Sequence, residues 1–93
     1  KNKEMKIKLE LFGASRDFSD KDHIELDIGE KASLDDLRNE IIKYLDKKFN
    51  GNQSFIKVVK SSAFCSENNE IISDNYKITK DQKIGIIPPI GGG

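Results

Sequence analysis

Polar and apolar residues alternate strictly along Met5-Lys6-Ile7-Lys8-Leu9-Glu10-Leu11, so Met5, Ile7, Leu9 and Leu11 share one face and the charges the other. A two-residue period is the pattern of a half-buried strand. Phe12 extends the run before Gly13-Ala14-Ser15 breaks it. His23-Ile24-Glu25-Leu26-Asp27-Ile28 alternates again, with Ile24, Leu26 and Ile28 inward, and Gly29 ends it. Two alternating runs joined by a loop predict an antiparallel pair.

The period then changes. Leu34, Leu37, Ile41 and Leu45 recur at helical spacing, with Arg38, Asn39, Lys43 and Asp46 on the other side. Ser33-Leu34-Asp35-Asp36 has the form of a capping box, and Asn50-Gly51-Asn52 supplies the stop, so a helix is predicted over residues 34–48. Phe55-Ile56-Lys57-Val58-Val59-Lys60 is rich in β-branched residues and predicts a strand continuing through Phe64. Ser66 to Asn69 reads as a turn, Ile71-Ile72 as a very short strand and Lys80-Asp81-Gln82 as another turn. Ile84-Gly85-Ile86-Ile87 is the last strand, and Pro88-Pro89 ends it because proline donates nothing to a ladder. The order ββαβ(β)β predicts an α+β fold: a β-grasp, ubiquitin-like mixed sheet of four or five strands packed on one main helix.

Composition narrows the function classes. The 93 residues suit one domain, which hides about 60% of its unfolded surface and leaves little room for an elaborate buried active site. With 35% hydrophobic and 34% charged residues, the chain has the composition of a folded soluble domain. Sixteen basic residues balance sixteen acidic ones, which gives no general field for nucleic acid or an anionic membrane. No run of about 18 apolar residues and no secretory leader is visible, so the expected location is cytoplasmic. Met5 reads as a natural start. Residues 1–4 then form an N-terminal extension or cloning remnant, 5–87 the β-grasp domain and 88–93 an extended tail.

Side-chain chemistry is sparse. Cys65 is the sole cysteine, which excludes an intramolecular disulfide, and it reads as a buried or half-buried thiol. His23 is the sole histidine and reads as a surface residue; no metal site is expected. Asp35 and Asp36 are explained by helix capping and the helix dipole. No nucleophile–base pair or phosphate cradle can be assembled, so an autonomous enzyme is not expected.

That leaves Pro88-Pro89-Ile90-Gly91-Gly92-Gly93. An apolar strand anchors the root, two prolines bias the exit towards an extended conformation, and glycines without Cβ atoms can thread a narrow channel. Fixing one residue's backbone costs roughly 1–2 kcal/mol, so clamping three glycines costs on the order of 3–6 kcal/mol. A docking surface on the body must offset that loss. Such a tail on such a body implies a two-part interface, with affinity in the domain and chemistry at Gly93.

With these features the chain resembles the small, sulfur-carrying subunit of molybdopterin synthase, a ubiquitin-like protein of the MoaD/ThiS type. The resemblance runs from Met5 onward and is most specific at Ile86-Ile87-Pro88-Pro89-Ile90-Gly91-Gly92-Gly93, with Gly91 as the variable position. Leu11-Phe12-Gly13-Ala14-Ser15-Arg16-Asp17 is similar to the family's first strand and turn. Ile78 to Ile84 is similar to the approach to its last strand, although Asp81-Gln82 stands where Gly-Asp is common, and 61–75 matches poorly.

The resemblance implies that an E1-like adenylyltransferase uses ATP and magnesium to adenylate the Gly93 carboxylate. A sulfurtransferase or desulfurase then supplies a persulfide-derived sulfur that replaces AMP and leaves a thiocarboxylate. It further implies a synthase large subunit as partner, in a heterotetramer of two small and two large subunits, where cyclic pyranopterin monophosphate becomes molybdopterin. No cofactor is expected on this chain itself. Pro88, Pro89, Ile90, Gly91 and Gly92 are implied as threading and partner-binding residues. Phe12, Phe64 and Ile87, with Ile90, are candidates for an apolar docking patch, a core position being the competing assignment for Phe12 and Ile87. A thiamine-pathway sulfur carrier, a ubiquitin-like protein modifier and a plain β-grasp interaction module are the alternatives.

Overall fold

A computed structural model describes residues 4–89. The alternating runs form β1 (Glu4–Leu11) and β2 (His23–Gly29), which pair antiparallel with Leu9 opposite Ile24 and Ile7 opposite Leu26. The inward residues of β1 are all buried; in β2, Ile24 and Ile28 are buried and Leu26 is half-buried. The connection between them carries a short 3-10 helix (Gly13–Phe18) that sinks Phe18 into the core.

Ser33 closes the predicted capping box. Its hydroxyl accepts from Asp36 N at 3.1 Å, and its own N–H donates to Asp36 Oδ2 at 2.9 Å. From there α1 (Leu34–Phe49) buries Leu34, Leu37, Ile41 and Leu45 against the sheet. It stops at Asn50, which adopts the left-handed conformation (φ 54°).

The expectation of a strand over 55–60 is wrong. Gln53–Ser61 is a second helix, α2. Asn52 caps it by accepting from Phe55 N at 3.2 Å. Phe55, Val58, Val59 and Ser62 follow at helical rather than alternating spacing, which places Val59 in the core and Phe55 against Phe18 and Phe49, with ring centroids 5.1 and 4.9 Å apart. Arg38 secures the far end: its Nη1 donates to the carbonyls of Val59 at 2.8 Å and Ser62 at 2.9 Å. Tertiary burial and capping outweigh the β-propensity of the valines and isoleucine.

The rest of the sheet follows in β4 (Ala63–Cys65), β5 (Ile71–Ile72) and β7 (Gln82–Ile87). Two further two-residue strands, β3 (Ala32–Ser33) and β6 (Lys77–Ile78), pair with each other beside α1. The predicted turn after Ser66 is present, with Asn69 at φ 64°. Gln82, assigned to a turn, begins β7 instead.

The five-stranded sheet runs β2-β1-β7-β4-β5, with β1 and β7 parallel and the other neighbours antiparallel. This is the mixed β-grasp sheet that the pattern predicts. It places β7, the strand leading to the tail, at its centre.

Candidate functional site

β7 is held on both sides almost to its last residue. Leu11 pairs with Ile86 from β1, while Phe64 and Ala63 pair with Ile86 and Ile87 from β4. Pro88 then ends the ladder for want of an N–H. Pro88 is buried and Pro89 exposed. Gly13, at φ 57°, lies against Pro88: a Cβ there would sit 3.8 Å from the proline Cδ. The root of the tail is thus fixed by the sheet and by the turn after β1. Pro88 and Pro89 also form one wall of an open groove of about 360 Å³, with Ala14 and the α2 residues Ser54, Lys57, Val58 and Ser61 lining the remainder. Ile90, Gly91, Gly92 and Gly93, which carry the threading and carboxylate assignments, lie outside the described residues.

Beside this exit the sheet's outer face is apolar. Alternation along β7 turns Ile84 and Ile86 inward, fully buried, and Gly85 and Ile87 outward. Phe12 is 42% exposed and its ring lies over Gly85. Cys65 stands opposite Gly85 and Ile71 opposite Cys65, and Ile71 is 67% exposed. Phe12, Ile87, Ala63 and Ile71 therefore make an apolar surface that runs up to the tail. The other half of the same face is charged: Lys6 faces Asp27 at 3.8 Å, and Lys83 faces Glu10 at 3.6 Å.

The three residues assigned to the docking patch separate. Phe12 is exposed and Ile87 half-buried on the outer face. Phe64 is 1% exposed, points inward beneath Arg38, whose Cζ is 4.9 Å from the ring centroid, and belongs to the core. Its assignment to the patch is corrected. Ile71 takes the outward place in that part of the sheet. The sequence pattern does not single it out, because a strand begun at Phe55 leaves the inward and outward positions near 64 without an anchor.

Ser15, which holds the turn beside this surface, was also not singled out by the sequence pattern. Its buried hydroxyl accepts from Phe12 N at 2.9 Å and donates to Phe12 O at 2.6 Å. The signal was present as a hydroxyl three residues after the strand's last aromatic.

Elsewhere the chemistry is structural. Cys65 is buried. His23 is half-buried, with Nδ1 3.0 Å from Asp22 Oδ1 and Nε2 3.7 Å from Glu25 Oε2. The hydrogen bond to His23 holds the Asp22 carboxyl below its ordinary range. Asp36 is lowered by the Ser33 N–H and then by the Ser33 hydroxyl. Among the described residues no group of His, Cys, Asp and Glu is placed to hold a metal, and no helix is long and apolar enough to cross a membrane.

The chain matches the model of the ThiS family over residues 9–93. No curated protein sequence matches it significantly. Among solved structures, it is similar to a Pyrococcus furiosus protein provisionally described as molybdopterin converting factor, subunit 1. The TM-score is 0.68 at 22% identity, covering 92% of this chain and 99% of that one. SAMP1 from Haloferax volcanii is similar at a TM-score of 0.65 and 14% identity, covering 95% and 99%. A second Haloferax volcanii protein, solved in solution, gives 0.66 and 15%, covering 97% and 88%. At these identities the structural likeness establishes the fold.

Proposed function

This chain belongs to the ThiS family of ubiquitin-like sulfur carriers, and from that premise we propose that it is the sulfur-donating small subunit of a molybdopterin synthase. The observation that carries this reading is the root of the tail: a central strand, paired on both sides, that hands directly to a clamped Pro88 and thence to Ile90-Gly91-Gly92-Gly93. Likeness to the Pyrococcus furiosus protein supports the molybdopterin branch.

The chemistry resides on Gly93 and the catalysis in partners. A carboxylate is a poor electrophile. An E1-like adenylyltransferase, with ATP and magnesium, joins the Gly93 carboxylate to AMP and releases pyrophosphate, which creates a good leaving group. The outer sulfur of a persulfide on a sulfurtransferase or desulfurase attacks the acyl-adenylate carbonyl and expels AMP, which gives an acyl disulfide. A second thiol then cleaves its S–S bond, forming a disulfide with the donor cysteine and leaving the thiocarboxylate on Gly93. The loaded tail then enters a large synthase subunit, in an assembly of two small and two large subunits, and gives its sulfur to cyclic pyranopterin monophosphate. Gly91 and Gly92 give access, and Pro88 and Pro89 aim the tail. This work belongs in the cytoplasm, where ATP is at hand.

The outer face is the docking surface for the activating enzyme, because any enzyme that receives the tail must rest beside the strand from which it emerges. The thiamine-pathway carrier is the second reading, favoured by the family model that matches. Reconstitution separates the two. The thiocarboxylate form, mixed with a large synthase subunit and the cyclic pterin, is expected to yield molybdopterin. Sulfur delivered only to a thiazole-forming enzyme would transfer the assignment to the second reading.

A further inference from the structure

The groove of about 360 Å³ at the root of the tail is walled by α2 and the turn after β1, not by the outward residues of the sheet. Ser54, Lys57, Val58 and Ser61 recur at i, i+3, i+4 and i+7, so one stripe of α2 faces it. Most of the wall is apolar. Val58 is half-buried, and Ala14 and the two proline rings add only carbon. Ser61 turns its hydroxyl back onto the helix, donating to the carbonyls of Lys57 at 3.0 Å and Val58 at 3.2 Å. The charged side chain at the groove is a cation, Lys57. Among the described residues it meets no carboxylate, although Lys6, Lys43 and Lys83 each do.

An aliphatic slot with one cation beside it fits an aliphatic side chain followed at short range by a carboxylate. The chain supplies that ligand itself. Ile90 is the next residue after Pro89, which already lines the groove, and Gly93 stands three residues further on. Four residues extend by up to about 14 Å, ample for a lysine that shares the groove with Pro89.

We propose that this groove holds Ile90 of the same chain, with the Gly93 carboxylate beside Lys57, so that the tail is parked on the body until a partner draws it out. The carboxylate contact rests on the sulfur-carrier reading, in which Gly93 is the reacting end; the seating of Ile90 does not. Seating Ile90 fixes one residue beyond a root that the sheet already fixes, and takes a branched aliphatic side chain out of water. These opposing contributions are similar in size, and an ion pair at the surface adds little, so parked and extended forms coexist. A partner that takes only the extended form then binds with an affinity reduced by the parked fraction. Capture of the tail is restrained, and no step is blocked.

Nuclear magnetic resonance on the full chain tests this without any partner. Nuclear Overhauser contacts are expected from the Ile90 methyls to those of Val58 and Ala14. Ile90→Ser is expected to remove them and to shift the amides of Ser54 to Ser61, leaving those of β2 unchanged. Absence of the contacts in the unaltered chain overturns the proposal. So does their appearance only between differently labelled copies, which would make the occupant a second chain's tail. Lys57→Glu, at an exposed position, reads the consequence in ATP–pyrophosphate exchange with the E1-like enzyme. The KM for this chain is expected to fall about twofold, as the parked fraction is released. An unchanged KM overturns the restraint, and a raised one shows that the enzyme itself uses the groove and overturns it too. Absence of exchange with the unaltered chain overturns the carrier reading and leaves the methyl contacts standing.

Discussion

The two faces of β7 use one strand for opposite ends. Ile84 and Ile86 on the inner face are fully buried and join α1, β1 and β4 into one core. Gly85 and Ile87, one position along in each case, leave the outer face shallow and apolar and hold Phe12 at its surface. Because successive residues of a strand point to opposite sides, core and surface are encoded at alternate positions of six residues. A substitution on one face can therefore leave the other intact, although their residues are neighbours.

The largest expected effect breaks the inner face. Ile86→Ala removes a side chain with no exposed surface and leaves a cavity, so a loss of about 2–5 kcal/mol in urea unfolding is expected. Ile71→Ser, on the outer face, is its counterpart: a change within about 0.5 kcal/mol is expected because the side chain already faces water. Comparable losses at the two positions would erase the distinction between the faces.

The smallest effect is a pH dependence that belongs to neither face. Asp36 is held below its ordinary range by the Ser33 N–H, so it binds protons less readily folded than unfolded. Its contribution is present above the unfolded-state pKa and fades as the pH falls through the lower, folded value. Thermal melts from neutral to strongly acidic pH are expected to show a shallower acid-side decline in Asp36→Asn than in the unaltered chain. An identical decline would show that the capping carboxylate carries no acid sensitivity.

Much of this architecture was legible. Met5–Leu11, His23–Ile28 and the stripe from Leu34 to Leu45 have undisturbed periods, and Ser33 with Asp36 marks a helix start by local hydrogen bonding alone. What was not legible depends on distant partners. The segment after Asn52 became a helix because Phe55 meets Phe18 and Phe49, and because Arg38 reaches across from α1 to its last carbonyls. Phe18 gave no periodic signal because it reaches the core from a 3-10 turn.

The site divided along the same line. The tail was visible as a motif and Phe12 and Ile87 as apolar candidates beside it, whereas the rest of that outer face was not. Choosing Ile71 over Phe64 requires the register of β4 on β7, and the seat of Phe12 depends on Gly85, 73 positions further along the chain.

In the proposed carrier, chemistry resides at Gly93 and the body serves to deliver it. Intact mass measures this most directly, after incubation with the E1-like enzyme, ATP, magnesium and a persulfide sulfur source. The unaltered chain is expected to gain the mass of one sulfur in place of one oxygen, and a chain lacking Gly93 is expected to remain unchanged and folded. Sulfur loading that persists without Gly93, or an unaltered chain that never gains it, would contradict the account.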